Sequence, residues 1–214
     1  NIKILYDDGF ASDCTVSVDG AILTDKDKEL FLNGISSLKM DFSKTSQLES
    51  KVIIARKTNV SLCRKNDERL GFFVYINDIS DVYGIYVTLG QTKSVLGTSS
   101  VYSTGIRLAD YVHAKKGWQY VMIPFVDFPE IGTGLLGGKR VNANMDFSTI
   151  TEINFVCNKK ESSGLPIINI DDMAIVGYKD WEILKIEDNT NTIINMSAVN
   201  AISYLKIYFD RDMN

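Results

Sequence analysis

The 214-residue chain holds three cysteines, Cys14, Cys63 and Cys157, with no CxxC pair among them. That leaves no basis for a disulfide framework or a cysteine zinc site, and free thiols partly in the core are the simplest reading. His113 is the only histidine, so multi-histidine zinc chemistry is excluded and any Ser-His-Asp or Cys-His arrangement would have to be built on that one side chain. No stretch approaches the ~18 consecutive apolar residues of a membrane span, and the amino end, NIKILYDDGF, lacks the basic region and apolar run of a signal peptide. Membrane insertion is not expected. Basic residues are not in surplus either. With a net charge of −4 and a pI near 5.1, the chain has no general electrostatic attraction for phosphates, and nucleic acid is not an expected partner. Asn1 is not an initiator methionine, so the chain is expected to be a piece of a longer protein.

What is present is strand patterning. Hydrophobic residues make up 45% and charged residues 23% of the chain, enough to bury a sizeable core and far from the composition of a disordered segment. Short runs rich in Val, Ile, Tyr and Phe alternate with polar residues and are separated by Gly, Asn or Asp, the signature of strands. The pattern predicts strands over 2–6, 15–18, 20–23, 29–32, 37–42, 51–55, 70–76, 85–89, 118–123, 152–157 and 167–176. One short helix is expected over 105–112, and the glycines at 132, 134, 137 and 138 predict a long surface loop. Many strands without intervening helices make the fold all-β, an antiparallel two-sheet β-sandwich with little helix. Residues 1–178 form the sandwich. Residues 179–214, read as a hairpin of 181–186 with 192–196 and a last strand ending at Phe209, are an addition to it or the start of the next module.

Three ordered pieces carry a resemblance: NGISSLKMDFS from Asn33; LGFFVYINDIS followed by GIYVTLG; and KGWQYVMIPFVDF from Lys116 followed by INIDDMAI. Together they resemble the jelly-roll carbohydrate-binding modules (galactose-binding-like β-sandwiches) of bacterial glycan-active enzymes and phage tail proteins. In that family a Gly before Ser-Leu opens an early strand, a Gly-Trp opens a strand ending in Ile-Pro, and a penultimate strand reads apolar-Asp-Asp-apolar. The similarity spans about residues 6–176. It implies a non-catalytic glycan-recognition module of a larger secreted or phage tail protein, extracellular or virion-associated, with a polysaccharide or cell-surface glycan as partner and homo-oligomerisation through the parent. The alternative is a purely structural jelly roll that orients neighbouring modules.

Strand alternation places Tyr75, Tyr86, Tyr120 and Asn154 where they would form a row across one sheet if their strands were neighbours. Flat aromatic faces with a few fixed polar groups suit the apolar C–H faces and rim hydroxyls of sugars. Aromatic residues are also good strand formers and pack between sheets, and Trp118 is expected in the core. The resemblance further implies a structural Ca²⁺ held by Asp171 with Asp7 or Asp8. Asp171 is read on one face with Asn169, Met173 and Ile175, where a lone carboxylate is costly unless paired or metal-bound. Capping of Asp171 by backbone amides competes with that reading, as does a neutral carboxyl. The strongest enzymatic rival is a jelly-roll polysaccharide lyase or glycosidase. The paired strand-borne carboxylates of one such hydrolase family are absent, as are the Gln-x-His motifs of alginate lyases. The chain is therefore not expected to be an enzyme by itself.

Overall fold

The computed structural model describes residues 3–44, 46–60, 62, 68–95, 98–136 and 138–177, and the backbone of two later strands, 183–187 and 206–209. The strands in chain order are β1 (Lys3–Tyr6), β2 (Cys14–Asp19), β3 (Ile22–Asp27), β4 (Ser37–Asp41), β5 (Glu49–Val60), β6 (Arg69–Ile76), β7 (Ile85–Val95), β8 (Thr98–Arg107), β9 (Gly117–Pro124), β10 (Ile131–Leu136), β11 (Lys139–Asn144), β12 (Ile150–Asn158), β13 (Ile167–Val176), β14 (Ile183–Glu187) and β15 (Lys206–Phe209). Helix among the described residues is confined to single 3₁₀ turns.

Two antiparallel sheets result. One is ordered β3-β4-β13-β6-β9, with β1 also paired to β13; the other is β11-β10-β8-β7-β12-β5-β2. They close on one core because alternate residues of each strand are apolar. Leu70, Phe72, Val74 and Ile76 from β6 meet Ile153, Phe155 and Cys157 from β12, all buried, and the Phe72 and Phe155 rings pack edge-to-face at 5.7 Å. Aromatic and aliphatic layers of this kind, and a strand order that repeatedly passes from one sheet to the other, are the jelly-roll β-sandwich.

Several expectations need correcting. Residues 131–144 are a regular hairpin, not a surface loop: Ile131 pairs with Asn144 through to Leu136 with Lys139. Only Gly138 of its described glycines has a positive φ, +79°. Gly132 and Gly134 are strand positions pressed against Met145 and Tyr102, where a Cβ would lie 2.3 and 3.0 Å from those side chains. These two glycines serve close packing, not turn chemistry. Residues 105–107 end β8, a strand whose Ser- and Thr-rich sequence lacks apolar alternation, and only Leu108–Tyr111 turns, as one 3₁₀ turn. Residues 29–32 are not a strand but part of a loop lying over β13. In the tail, Ile183–Glu187 pairs with Lys206–Phe209; residues 192–196 lie outside the described residues.

Candidate functional site

The expected row of four residues is split between the two sheets. Tyr75 and Tyr120 lie on the neighbouring strands β6 and β9, whereas Tyr86 and Asn154 lie on β7 and β12 of the other sheet. Jelly-roll crossovers make strands adjacent in sequence change sheets, so matching faces could not establish neighbourhood. Tyr75 meets Trp118 edge-to-face at 5.6 Å and Phe73 meets Tyr120 in a tilted pair at 4.9 Å, both cross-strand pairs on the outer face. Trp118 is thus half-buried against Tyr75, not in the core. Tyr120 is seated over Gly71, where a Cβ would come within 2.3 Å of its hydroxyl.

Asn154 lies in a groove on the outer face of the seven-stranded sheet. Cross-strand partners share a face, so register builds this face in rows. One row runs Asn142, Thr133, Ser103, Gly90, Glu152, Ala55 and Thr15 across all seven strands. The next runs Gly105, Thr88, Asn154, Ile53 and Ser17, and the third Arg107, Tyr86, Val156, Lys51 and Asp19. Two glycines keep the floor low. A Cβ on Gly90 would lie 2.9 Å from the Glu152 carboxylate, and one on Gly105 would lie 2.7 Å from the Thr88 methyl. The β10–β11 hairpin supplies the far end through Thr133, Leu135 and Arg140, and β5 supplies the near end through Glu49 and Lys51. The groove's volume is about 590 Å³, within the ~300–1,000 Å³ range of ligand sites.

In the centre of this floor, Asn154 is 6% exposed, and its side-chain oxygen has no hydrogen-bond partner among the described residues. Its amide nitrogen donates to Glu152 Oε2 at 3.2 Å, which orients the carboxamide and leaves the oxygen as the free acceptor. Buried acceptors are nearly always satisfied, so an orphan in a groove floor marks a place for an external donor. Tyr86 stands one row along, beside Val156 and Lys51. Its hydroxyl donates to Glu161 at 2.5 Å, and the Arg107 guanidinium sits 5.9 Å from its ring centroid, a clamp that fixes the ring at the groove's margin. Of the residues expected from the sequence, Asn154 lies in this groove and Tyr86 at its margin, while Thr88, Lys51, Ser103 and Arg140 were not among them. The last two lie on strands that the sequence pattern did not predict; Glu152 and Val156 were legible as the face shared with Asn154.

The acidic corner is elsewhere, on the six-stranded sheet. A bulge in β13 between Asp171 and Ala174, with Asp172 at φ +47°, puts Asn169 and Asp171 on the outer face and Met173 and Ile175 in the core. The expectation that the four share a face fails at that bulge. The 28–36 loop covers the outer pair: Asp171 Oδ2 accepts from the amides of Leu32 and Asn33 at 2.9 and 3.0 Å, and Oδ1 accepts from its neighbour's amide at 3.0 Å. Asn169 donates to Asp27 and Ser37 beneath the same loop. Asp8 Oδ1 accepts from the amides of Ile35 and Ser36 at 2.7 and 2.8 Å, while Asp7 is exposed. Burial raises the Asp172 pKa, opposed by a hydrogen bond from Asn33 and reinforced by the charges of Asp171, Asp7 and Asp8. The carboxylates thus face N–H donors, and among the described residues no group of three or more His, Cys, Asp or Glu is arranged to hold a metal. In this arrangement the amides of Leu32 and Asn33 engage Asp171, and those of Ile35 and Ser36 engage Asp8. His113 is exposed, and its backbone amide is held by Gln119 at 2.8 Å.

No protein-family profile matches the chain, and no curated protein matches it. Solved structures do. A family 30 carbohydrate-binding module aligns with TM-score 0.59 and 14% identity, covering 84% of this chain and 89% of its own. The family 30 module of a cellulosomal cellulase of Clostridium thermocellum gives 0.57 and 15%, covering 84% and 99%. A family 11 module of a Clostridium thermocellum cellulosomal cellulase gives 0.52 and 15%, covering 83% and 95%. At these identities the likeness is one of fold, and it covers the modules nearly end to end: the chain has the jelly-roll β-sandwich of carbohydrate-binding modules.

Proposed function

We propose that the chain is a non-catalytic glycan-recognition module that binds a polysaccharide segment in the groove of the seven-stranded sheet. The observation that carries this is the orphaned Asn154 oxygen, buried in a groove floor and directed by Glu152. A sugar hydroxyl is the donor it lacks, and Glu152 Oε1, Thr88 and Ser103 around it, unengaged among the described residues, suit neighbouring hydroxyls. The fold likeness supports the class of ligand. A groove open across several strands suits an internal segment of a chain. A parent protein that is secreted or part of a phage tail, with homo-oligomerisation adding avidity to a weak single site, follows from the sequence resemblance and belongs to this proposal.

Asn154→Leu tests it on a glycan array and by affinity electrophoresis. The substitution removes an unsatisfied buried acceptor, which costs ~1–3 kcal/mol when left unmade. Binding is expected to disappear while the melting temperature holds or rises. Retained binding in the variant, or silence of the folded wild-type chain across the array, refutes the reading.

A further inference from the structure

We infer that the groove takes an acidic heteropolysaccharide, with one carboxylate seated at the hairpin end by Arg140 and neutral sugars over the rest of the floor. This rests on the glycan-binding reading above and names the class of glycan.

Among the described residues the floor of the groove contains no aromatic ring, and Tyr86 stands only at its margin, so stacking on apolar sugar faces is confined to one edge and most of the affinity has to come from polar contacts. Hydrogen bonds with one charged partner are roughly twice as strong as neutral ones. The distribution of charge then decides where a ligand anion can sit. At the β5 end Lys51 has Glu49 two residues away on its own face and Asp19 as its cross-strand partner. In the centre stands Glu152. Those regions favour hydroxyls and repel a second negative charge. Arg140 differs: it is exposed on the groove side of β11, it has no hydrogen-bond or ion-pair partner among the described residues, and its cross-strand partner is Leu135. Four strand steps separate it from β12, roughly 19 Å along the sheet at ~4.8 Å per step. A planar guanidinium in that setting is built for bidentate binding of a carboxylate. A chain charged on every sugar would put anions over Glu152 and Glu49, whereas a neutral chain would leave Arg140 unused.

The test compares the intact chain on three polysaccharides by affinity electrophoresis and calorimetry. Hyaluronan carries a carboxylate on alternate sugars, polygalacturonate on every sugar, and mixed-linkage β-glucan on none. Hyaluronan is expected to bind best and to weaken as salt rises. Arg140→Gln is expected to lower its affinity about tenfold, as loss of one charge-assisted contact does, and to flatten the salt dependence without moving the melting temperature. Arg140→Lys should keep the salt dependence at reduced affinity. Equal or tighter binding of the neutral glucan or of polygalacturonate, or indifference of hyaluronan binding to Arg140→Gln, overturns the inference while the groove reading stands. Failure to bind any glycan on a broad array overturns both.

Discussion

Replacing Asp171 with Asn tests what holds the 28–36 loop onto the sheet. The carboxylate is 1% exposed and accepts three backbone N–H groups, from Leu32, Asn33 and Asp172. A carboxamide has one accepting oxygen. If that oxygen keeps the Leu32 and Asn33 amides, its NH₂ group confronts the Asp172 N–H, so one bond is lost outright and two lose their charge assistance. With hydrogen bonds to charged groups worth ~1.5–3 kcal/mol each, the loss is roughly 2–4 kcal/mol. At about 2–4 °C per kcal/mol for a chain of this size, the melting temperature should fall by roughly 5–15 °C. Differential scanning calorimetry decides it, with chelator-treated protein in one arm and saturating calcium in the other. Because the stabilising donors are amides, the fall is expected to be the same in both. A fall confined to the calcium arm, with a chelator-sensitive wild type, establishes the calcium site that the sequence resemblance implies. A shift under ~1 °C in both arms refutes the hydrogen-bond account altogether.

Two further outcomes follow from the same corner. Gly34→Ala should destabilise the chain by about 3 kcal/mol in urea unfolding, since Gly34 has φ +62° and a Cβ there would lie 2.1 Å from the Asp8 carboxylate; full stability in the variant would show that Asp8 does not fix the loop. Tyr6 is fully buried with its hydroxyl donating to the Asp25 carbonyl at 2.7 Å. Burial above all pushes its pKa up to about 12 from 10.0, with Ser36 opposing and the charges of Asp171, Asp25 and Asp8 reinforcing. The folded chain therefore holds this proton more tightly than the unfolded chain, so the stability it contributes is complete below pH 10 and is lost as pH rises toward 12. Tyrosinate absorbance during alkaline unfolding should show Tyr6→Phe flattening that decline.

The fold was legible where one sheet face is buried. GFFVYI, WQYVMI and EINFVC alternate cleanly because each has a core side and an open side, and each is a strand with the face assignment read from sequence. It was illegible in β8 and β10, where serine, threonine and glycine replace alternating apolar residues, and in β11, whose inward residues are only Val141 and Ala143, so that strand identity comes from pairing with neighbours. The Gly before Ser-Leu, a family cue in the sequence, acquires a physical reason in the Asp8 cradle: the carboxylate binds two successive amides only if the preceding residue turns left-handed and carries no side chain.

The candidate site was legible in part for a related reason. Periodicity assigns a residue to a face, and Asn154 and Tyr86 were placed on open faces correctly. It does not say which faces become one surface, because that depends on strand order. Tyr75 and Tyr120 have the same periodic credentials as Tyr86, yet they belong to the opposite sheet. Nor can periodicity show that a polar residue on an open face is in fact buried. Asn154 is 6% exposed in the groove floor, with its amide held by Glu152 from its own strand. The feature that argues for a ligand is an acceptor withdrawn from water with no donor among the described residues, and it emerges only when β12 is set between its neighbours β7 and β5. The residues that give the groove its charge pattern, Lys51, Glu152 and Arg140, are ordinary surface residues until the register sets them along one axis.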